Sequence, residues 1–526
     1  HPRMAGTLHH PSMRATSLIL VISLLSLSLC GQQVVLTDML RGGKDVADIR
    51  VIGSDATAFY VTEFNDEKTP SISFVAYSLT DSKELWRRKI LLPSSGVSDS
   101  RYEQALHMKS GFLLFSTSFS EVTGQMQAYA TMLNSKGEQM GDHVLVHYIT
   151  ADARSRNVKF DVRLSPDSSR MLLYFNPPYE RKASENLSFK VYAPDLELMW
   201  EKDLSLPYAQ DVVQVHNFII DNGGHLYMMS GRSPEKVLLQ NNPPLAQGGR
   251  YVLFHYNPTE NKVKEYDVSL KDKQVIATAF ALRADGSLVI SGYYGNNYQF
   301  AIAGVFQFEL NPEGRGIKTA SFMPFPADFL GRFAGSREMV SKHNSLNDFY
   351  LDHVFPLQDG NTLLIGEQYY VEESVRFDPV TGRQIVEYFH HFDDIIVTKA
   401  DVQGRILWCV KVPKQQYTSG KGGNCSYNCF LDEKLHLIFN DDDGNQERLK
   451  ALPQGEALAW NQSKNSVTTL VEVSPEGTLT RKVLVQNKLA ESLLAPHLGS
   501  FHPLGTMILG YDMGKSYRFG VVRGAE

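Results

Sequence analysis

Asp401-Val-Gln-Gly-Arg-Ile-Leu-Trp-Cys-Val-Lys-Val412 is a tight turn running into a short strand that carries one tryptophan. The turn residues Val402, Gln403 and Gly404 come after the apolar run Ile395-Ile-Val397, so the unit reads strand, turn, strand. Leu85-Trp86-Arg-Arg-Lys-Ile90 and Met199-Trp200-Glu-Lys-Asp-Leu204 repeat its second half. Aligned on the tryptophan, with a turn residue four positions ahead, the chain yields seven copies. Their anchors are Trp86, Gly141, Trp200, Glu265, Lys318, Trp408 and Arg481. The turns ahead of them include Asn134-Ser-Lys-Gly137, Asn257-Pro-Thr-Glu-Asn261, Asn311-Pro-Glu-Gly314 and Ser474-Pro-Glu-Gly477. Proline presets φ in such turns, and Gly or Asn takes the φ > 0 position.

A second motif alternates with the first, a turn followed by a continuous apolar run. Arg283-Ala-Asp-Gly-Ser-Leu-Val-Ile-Ser-Gly292 is its clearest copy. Gln358-Asp-Gly-Asn-Thr-Leu-Leu-Ile-Gly366, Asp221-Asn-Gly-Gly-His-Leu-Tyr-Met-Met-Ser-Gly231 and Ser165-Pro-Asp-Ser-Ser-Arg-Met-Leu-Leu-Tyr174 follow it. Weaker copies lie at 53–61, 109–115, 432–439 and 503–510, which makes eight. A short apolar run bounded by turn residues is a buried strand. Two hairpins per repeat build a four-stranded propeller blade. The repeats are about 53 to 90 residues long, against roughly 40–50 for compact propeller repeats, so the excess sits in loops.

Eight first hairpins and seven second hairpins leave the last repeat one strand short. Gln32-Gln-Val-Val-Leu-Thr37 can supply that strand. Closing the ring this way removes its free edges. The sequence therefore predicts an all-β fold, a β-propeller of eight four-stranded blades closed by an N-terminal strand. Seven blades is the alternative, if 53–61 or 109–115 is not a blade. Residues 32–526 form a single domain in this reading. A helical insertion falls at about 324–350, where Phe329, Leu330 and Phe333 share one face.

Residues 1–31 read as a leader and a secretory signal peptide. Met13-Arg opens it, an apolar core follows, and small residues close it. Cys30 suggests a lipid anchor, but Leu29 ahead of it departs from the small residue that a lipobox needs. No later run is long enough to span a bilayer as a helix. The expected location is outside the cytoplasm: periplasm, cell surface or medium. A net charge of −6 argues against nucleic acid as a partner.

Several local patterns suggest chemistry and fall short of it. Asp441-Asp-Asp-Gly-Asn445 fails the EF-hand spacing, because its first ligand position falls on Phe439. It reads as a solvated acidic turn, with a looser calcium loop left open; no other cofactor is expected. His390 and His391 alternate to opposite strand faces and so do not converge on a metal. Ser419-Gly-Lys-Gly-Gly423 lacks the spacing of a phosphate loop. Cys409, Cys425 and Cys429 are an odd set, expected as free thiols with a bridge between the last two left open. Trp86, Trp200 and Trp408 read as staples between blades. Trp460, in a long loop, is the tryptophan best placed for stacking on a sugar.

The turn-strand unit with Gly followed by Leu-Trp resembles the repeats of quinoprotein-type and outer-membrane-assembly propellers, which are eight-bladed. The chain lacks the adjacent cysteine pair of quinone-dependent alcohol dehydrogenases, which puts that cofactor in doubt. Gly366-Glu-Gln-Tyr-Tyr370, Phe392-Asp-Asp-Ile-Ile-Val397, Ile406-Leu-Trp-Cys-Val-Lys-Val-Pro-Lys-Gln415 and Ile438-Phe-Asn-Asp-Asp442 look like a family of uncharacterised exported proteins of Bacteroidota. That resemblance covers about the second half of the chain. It implies a bacterial envelope or secreted setting and carries no activity.

Function is then read from the loops, where propellers gather their binding groups. Loops between second and third strands share a face with the connections between blades. Tyr179, Arg181, Tyr294, Glu367, Tyr369, Lys414 and Asp443 are the polar and aromatic candidates for that face. The expectation is a monomeric, non-catalytic propeller that binds an envelope protein, a peptide or a glycan there. The alternative is an enzyme on the same scaffold, a glycan hydrolase or lyase or a quinone-dependent oxidoreductase. It requires carboxylates that converge from different blades in an open pocket.

Overall fold

The computed structural model describes residues 33–523 except 42–45, 66–68, 94–99, 151–158, 177–183, 210–212, 233–249, 297–300, 311–315, 334–338, 341–343, 421, 461–464, 502–505 and 513–515. The leader, the signal peptide and Cys30 lie outside the described residues, as do Tyr179 and Arg181.

The turn of the opening motif shows how each hairpin is set. Asp401 accepts the backbone N–H groups of Gln403 and Arg405 on one carboxylate oxygen, both at 2.9 Å. Gly404, at φ +76°, donates its own N–H to the Asp401 carbonyl at 2.8 Å. Asp55, Asp221, Asp285 and Asp359 accept backbone N–H groups in the same way in other turns. An aspartate that bonds the backbone two residues on imitates a backbone turn.

Between these turns the strands pair into antiparallel sheets, each in simple sequence order. Blade 1 is Val46–Ser54, Ala58–Asn65, Ser71–Ser78 and Glu84–Leu91. Blades 2 to 7 occupy 101–150, 159–209, 213–268, 274–324, 349–412 and 428–486. Blade 8 takes Ser500–Phe501, Met507–Asp512 and Ser516–Arg523 from the C-terminal end and Gln33–Leu36 from the N-terminal end. Val34 pairs with Val522 and Leu36 with Gly520. The propeller thus has eight blades, and both weak repeats are blades.

The core is divided in the same way. Eight apolar clusters fill the eight seams between neighbouring blades, including the seam between blades 8 and 1. Some of the middle strands are covered on both faces and buried along their length, as in Ser71–Ser78 and Gly304–Leu310, whereas Gln125–Asn134 and Ser184–Tyr192 alternate. At the closing seam Tyr517 and Arg87 both bond the buried carboxylate of Glu63.

The tryptophans staple blades together, as their spacing predicts. Trp86 lies over Gly137 of blade 2, and Trp408 lies over Gly477 of blade 7 while its indole N–H bonds the Pro475 carbonyl at 3.0 Å. Trp200 packs on Tyr256 of blade 4. Trp460 differs from expectation. It is wholly buried, with its indole N–H on Ser466 at 2.7 Å, and has no face free for a sugar.

The insertion after blade 5 contains a short helix, Ala327–Leu330, and a 3-10 turn, Gly331–Phe333. Phe329, Leu330 and Phe333 are buried together in the seam of blades 5 and 6. A second insertion, in blade 7, holds the helix Gly444–Ala451. Among the described residues no helix is long and apolar enough to cross a membrane.

Candidate functional site

First strands of neighbouring blades lie against one another, so they line the central axis. Loops between second and third strands and the connections between blades open on the same side, here called the upper face. Blade 6 is the blade that departs from the others there. Its second and third strands, Thr362–Phe377 and Gln384–Ala400, are about twice as long as their counterparts. The first strand reaches only to Gln368, and pairing with the short strand Gln416–Thr418 ends at His390. Beyond that, 371–377 and 384–389 pair only with each other among the described residues. At roughly 3.4 Å per residue this hairpin stands about 20 Å above the rim. Gly382, at φ +65°, makes its tip.

The hairpin has two unlike faces, because directly opposed residues share a side. One face carries Val371, Val375, Phe377, Val386 and Tyr388, with Val375 directly opposite Val386, and also Glu373 opposite Tyr388 and Gln384 opposite Phe377. Phe377 is 70% exposed, and the other apolar residues are 40–52% exposed. The other face carries polar pairs: Arg376 with Glu387 at 2.9 Å, and His391 with Glu372 at 3.1 Å. His391 also stacks on Tyr370, whereas His390 bonds the Tyr369 hydroxyl at 2.8 Å. The two histidines thus point to different partners, as alternation predicts.

The root of the hairpin is a buried polar knot. Lys414 and Glu367 form an ion pair at 2.8 Å, with both side chains almost fully buried. The Lys414 ammonium also donates to the Phe392 carbonyl and to Gln416. Ser426 of the next blade donates to the second Glu367 oxygen at 2.7 Å. Gln416 continues the network to the Asn440 carbonyl at 2.7 Å, and Asn440 to Asn424 and Leu494. The knot therefore ties blades 6, 7 and 8 at their upper ends.

Beside it, at the axis, Asp352 occupies a bulge in the first strand, between Leu351 and His353. Bulges re-aim side chains. Asp352 keeps contact with solvent but is ringed by protein. Desolvation, reinforced by the nearby Glu367 charge, pushes its pKa up to about 7. Tyr427 donates its hydroxyl to Asp352 at 2.8 Å. A bulge at the same height in blade 2 carries Glu103, raised by burial and bonded by Thr117.

Of the residues expected to face a ligand, the structure brings two together, Glu367 and Lys414, and buries both. Tyr294 is also buried. It lies inside the strand Leu288–Gly295, and its ring packs on Phe322. Those three are corrected from presented to interior positions. Tyr369 is half-buried at the foot of the hairpin, and Asp443 is exposed just ahead of the blade 7 helix. The acidic turn is corrected as well. Asp441 is not solvated but buried against Arg481, which also donates to the Pro413 carbonyl at 2.6 Å. Among the described residues no group of three or more His, Cys, Asp or Glu side chains could hold a metal. Cys409, Cys425 and Cys429 are free thiols, and burial pushes all three well up, to about 12, 11 and 12.

No protein-family model matches the sequence. No curated protein matches it either. Solved structures do.

The chain is similar to a europium-containing methanol dehydrogenase, at 8% identity and a TM-score of 0.42, over 92% of this chain and 85% of that one. It is similar to the WD40 domain of SCAP from fission yeast, at 8% identity and a TM-score of 0.39, over 94% and 95%. It is similar to the β-propeller domain of the Trilobed protease from Pyrococcus furiosus, at 9% identity and a TM-score of 0.36, over 84% and 97%. These likenesses are too distant to bring function with them, and the propeller assignment rests on the strand pairing itself. What the sequence did not flag is the apolar face of the hairpin. Its signal was the alternation Val371, Val375, Phe377 in a segment too long to be covered by a neighbouring blade.

Proposed function

We propose that this protein is a non-catalytic exported propeller that binds an extended peptide segment of a partner protein on the blade 6 hairpin. The observation that carries this reading is a projecting two-stranded ribbon with five exposed apolar side chains on one face, interrupted by Glu373. Apolar patches beyond a few hundred Å² are unusual on monomers and mark interaction sites. A peptide suits it better than a glycan, because aliphatic and aromatic side chains make up most of the face, with Glu373 and Gln384 as its exposed polar groups. The ribbon also offers strand edges that an extended segment can extend by one strand. The polar knot beneath fixes the hairpin to the ring and so lowers the entropy cost of binding.

The test uses a displayed random-peptide library panned on the folded chain from residue 32 onward. The counter-selection target is the variant Val375→Ser/Phe377→Ser/Tyr388→Ser. Enrichment of apolar peptides that bind the parent and not the variant is expected. Peptides that bind both equally, or no enrichment at all, would overturn the proposal.

A further inference from the structure

We infer that a cavity on the outer flank of blades 6 and 7 is a binding site for a small organic anion. The cavity measures about 780 Å³, within the range of small-molecule pockets. It lies away from the hairpin and does not depend on the function proposed above. Four separate parts of the chain build it, and three of them carry a cation. Arg332 comes from the insertion after blade 5, Lys411 from the outer strand of blade 6, and Arg448 from the blade 7 helix. The Lys411 backbone N–H bonds Gln454 at 2.8 Å, which fastens the blade 7 insertion over the cavity.

The arginines are not consumed by their own surroundings. Nη1 of Arg332 is buried and has no hydrogen-bond partner, while Nη2 is 3.9 Å from the exposed Asp328. The Arg332 side chain is 31% exposed, so the guanidinium edge other than the enclosed Nη1 is what an oxyanion in the cavity can reach. Lys411 is nearly buried, paired with Asp394 and bonded to the Arg332 carbonyl, both at 3.4 Å, and lies 5.0 Å from the centre of the Phe333 ring, so it adds positive charge from beneath the cavity. Arg448 spends its Nε–H on the Glu456 carbonyl at 2.7 Å, leaving its outer N–H groups for a ligand. Leu452, Pro453 and Leu479 supply an apolar wall. The ligand is therefore a carboxylate or phosphate on a compact organic body, with Arg332 and Arg448 taking the anionic end.

The experiment is titration of the mature chain by calorimetry and thermal shift with four probes: glucuronate, glucose 6-phosphate, inorganic phosphate and neutral glucose. Sodium chloride at matched ionic strength is the control. Saturable binding of an organic anion is expected, with no binding of glucose. Glucuronate and glucose 6-phosphate separate a carboxylate from a phosphate preference. Arg448→Gln, an exposed substitution that leaves the core intact, should weaken binding roughly 10- to 100-fold, the loss of a charge-assisted hydrogen bond. Arg332→Gln should do the same, and Phe377→Ser in the hairpin should change nothing. Shifts that sodium chloride reproduces, or binding indifferent to both arginine substitutions, would overturn the assignment.

Discussion

Lys414→Met isolates the energetics of the knot under the hairpin. The lysine ammonium has three N–H groups and three acceptors: Glu367, Gln416 and the Phe392 carbonyl. Methionine keeps the length of the side chain and removes the charge. Glu367 is then left in the interior with a single donor, Ser426. Removing one partner of a buried pair costs about 3–5 kcal/mol, most of it the unpaired charge. Glu367→Gln leaves the lysine unpaired and falls in the same range. In the double variant neither charge remains, and the glutamine oxygen still accepts from Ser426. Its cost should therefore drop to about 1–2 kcal/mol, set by the acceptors that lose the ammonium, the Phe392 carbonyl above all, since Gln416 keeps the Ser426 backbone N–H at 2.7 Å. The cycle then shows a coupling of several kcal/mol between positions 367 and 414. Urea unfolding followed by both tryptophan fluorescence and far-UV circular dichroism provides the measurement, with coincident transitions as the condition for two-state treatment. Single variants that cost under about 1 kcal/mol, or effects that simply add, would refute the desolvated pair.

Four further outcomes follow from other parts of the ring. Asp352 ionises near 3.8 when unfolded and is pushed up to about 7 when folded, so the folded state holds an extra proton between those values. Its contribution makes stability fall as pH rises from about 4 to 7 and level off above, and Asp352→Asn should flatten that slope in thermal melts. Gly477→Ala places a Cβ 2.9 Å from the Trp408 ring at φ +84°, and should cost about 1–3 kcal/mol by thermal unfolding. Tyr517→Phe removes a donor to Glu63 in the closing seam and should cost about 1–2 kcal/mol, with faster amide exchange in blades 8 and 1 than elsewhere. Cys409 and Cys425, buried and with raised thiol pKa values, should react with a thiol reagent only after denaturation, read as a lag in the colour change.

The architecture was legible because hairpin turns leave local marks. Asp401 and Gly404 sit where the backbone needs them whatever the rest of the chain does, and the same holds at Asp285 and Gly286. Even the missing strand of the last repeat could be placed, since only Gln32–Thr37 was left unassigned. The site was legible in part. Glu367 and Lys414 were chosen for their loop positions, and they do meet, but Ser426 and Gln416 close over them through contacts that sequence spacing does not encode. Trp460 failed because the insertion that carries it, 444–460, folds back on blade 6. Tyr294 failed because it lies inside a strand, with its ring packed on Phe322. Asp441 reads as one of three acidic turn residues, and only the distant Arg481 reveals it as interior.

The strand Gln33–Leu36 also fixes the molecule's orientation. As the outermost strand of blade 8 it runs toward the upper face, so Gln33 sits at the lower rim and Thr37 near the upper one. Anything joined ahead of Gln33, whether a bead, a fused tag or a membrane tether, meets the ring from below. The blade 6 hairpin then points the other way, into the medium. An N-terminal attachment therefore displays the hairpin and leaves its apolar face free, whereas a tether spliced into the tip at Gly382 would bury it.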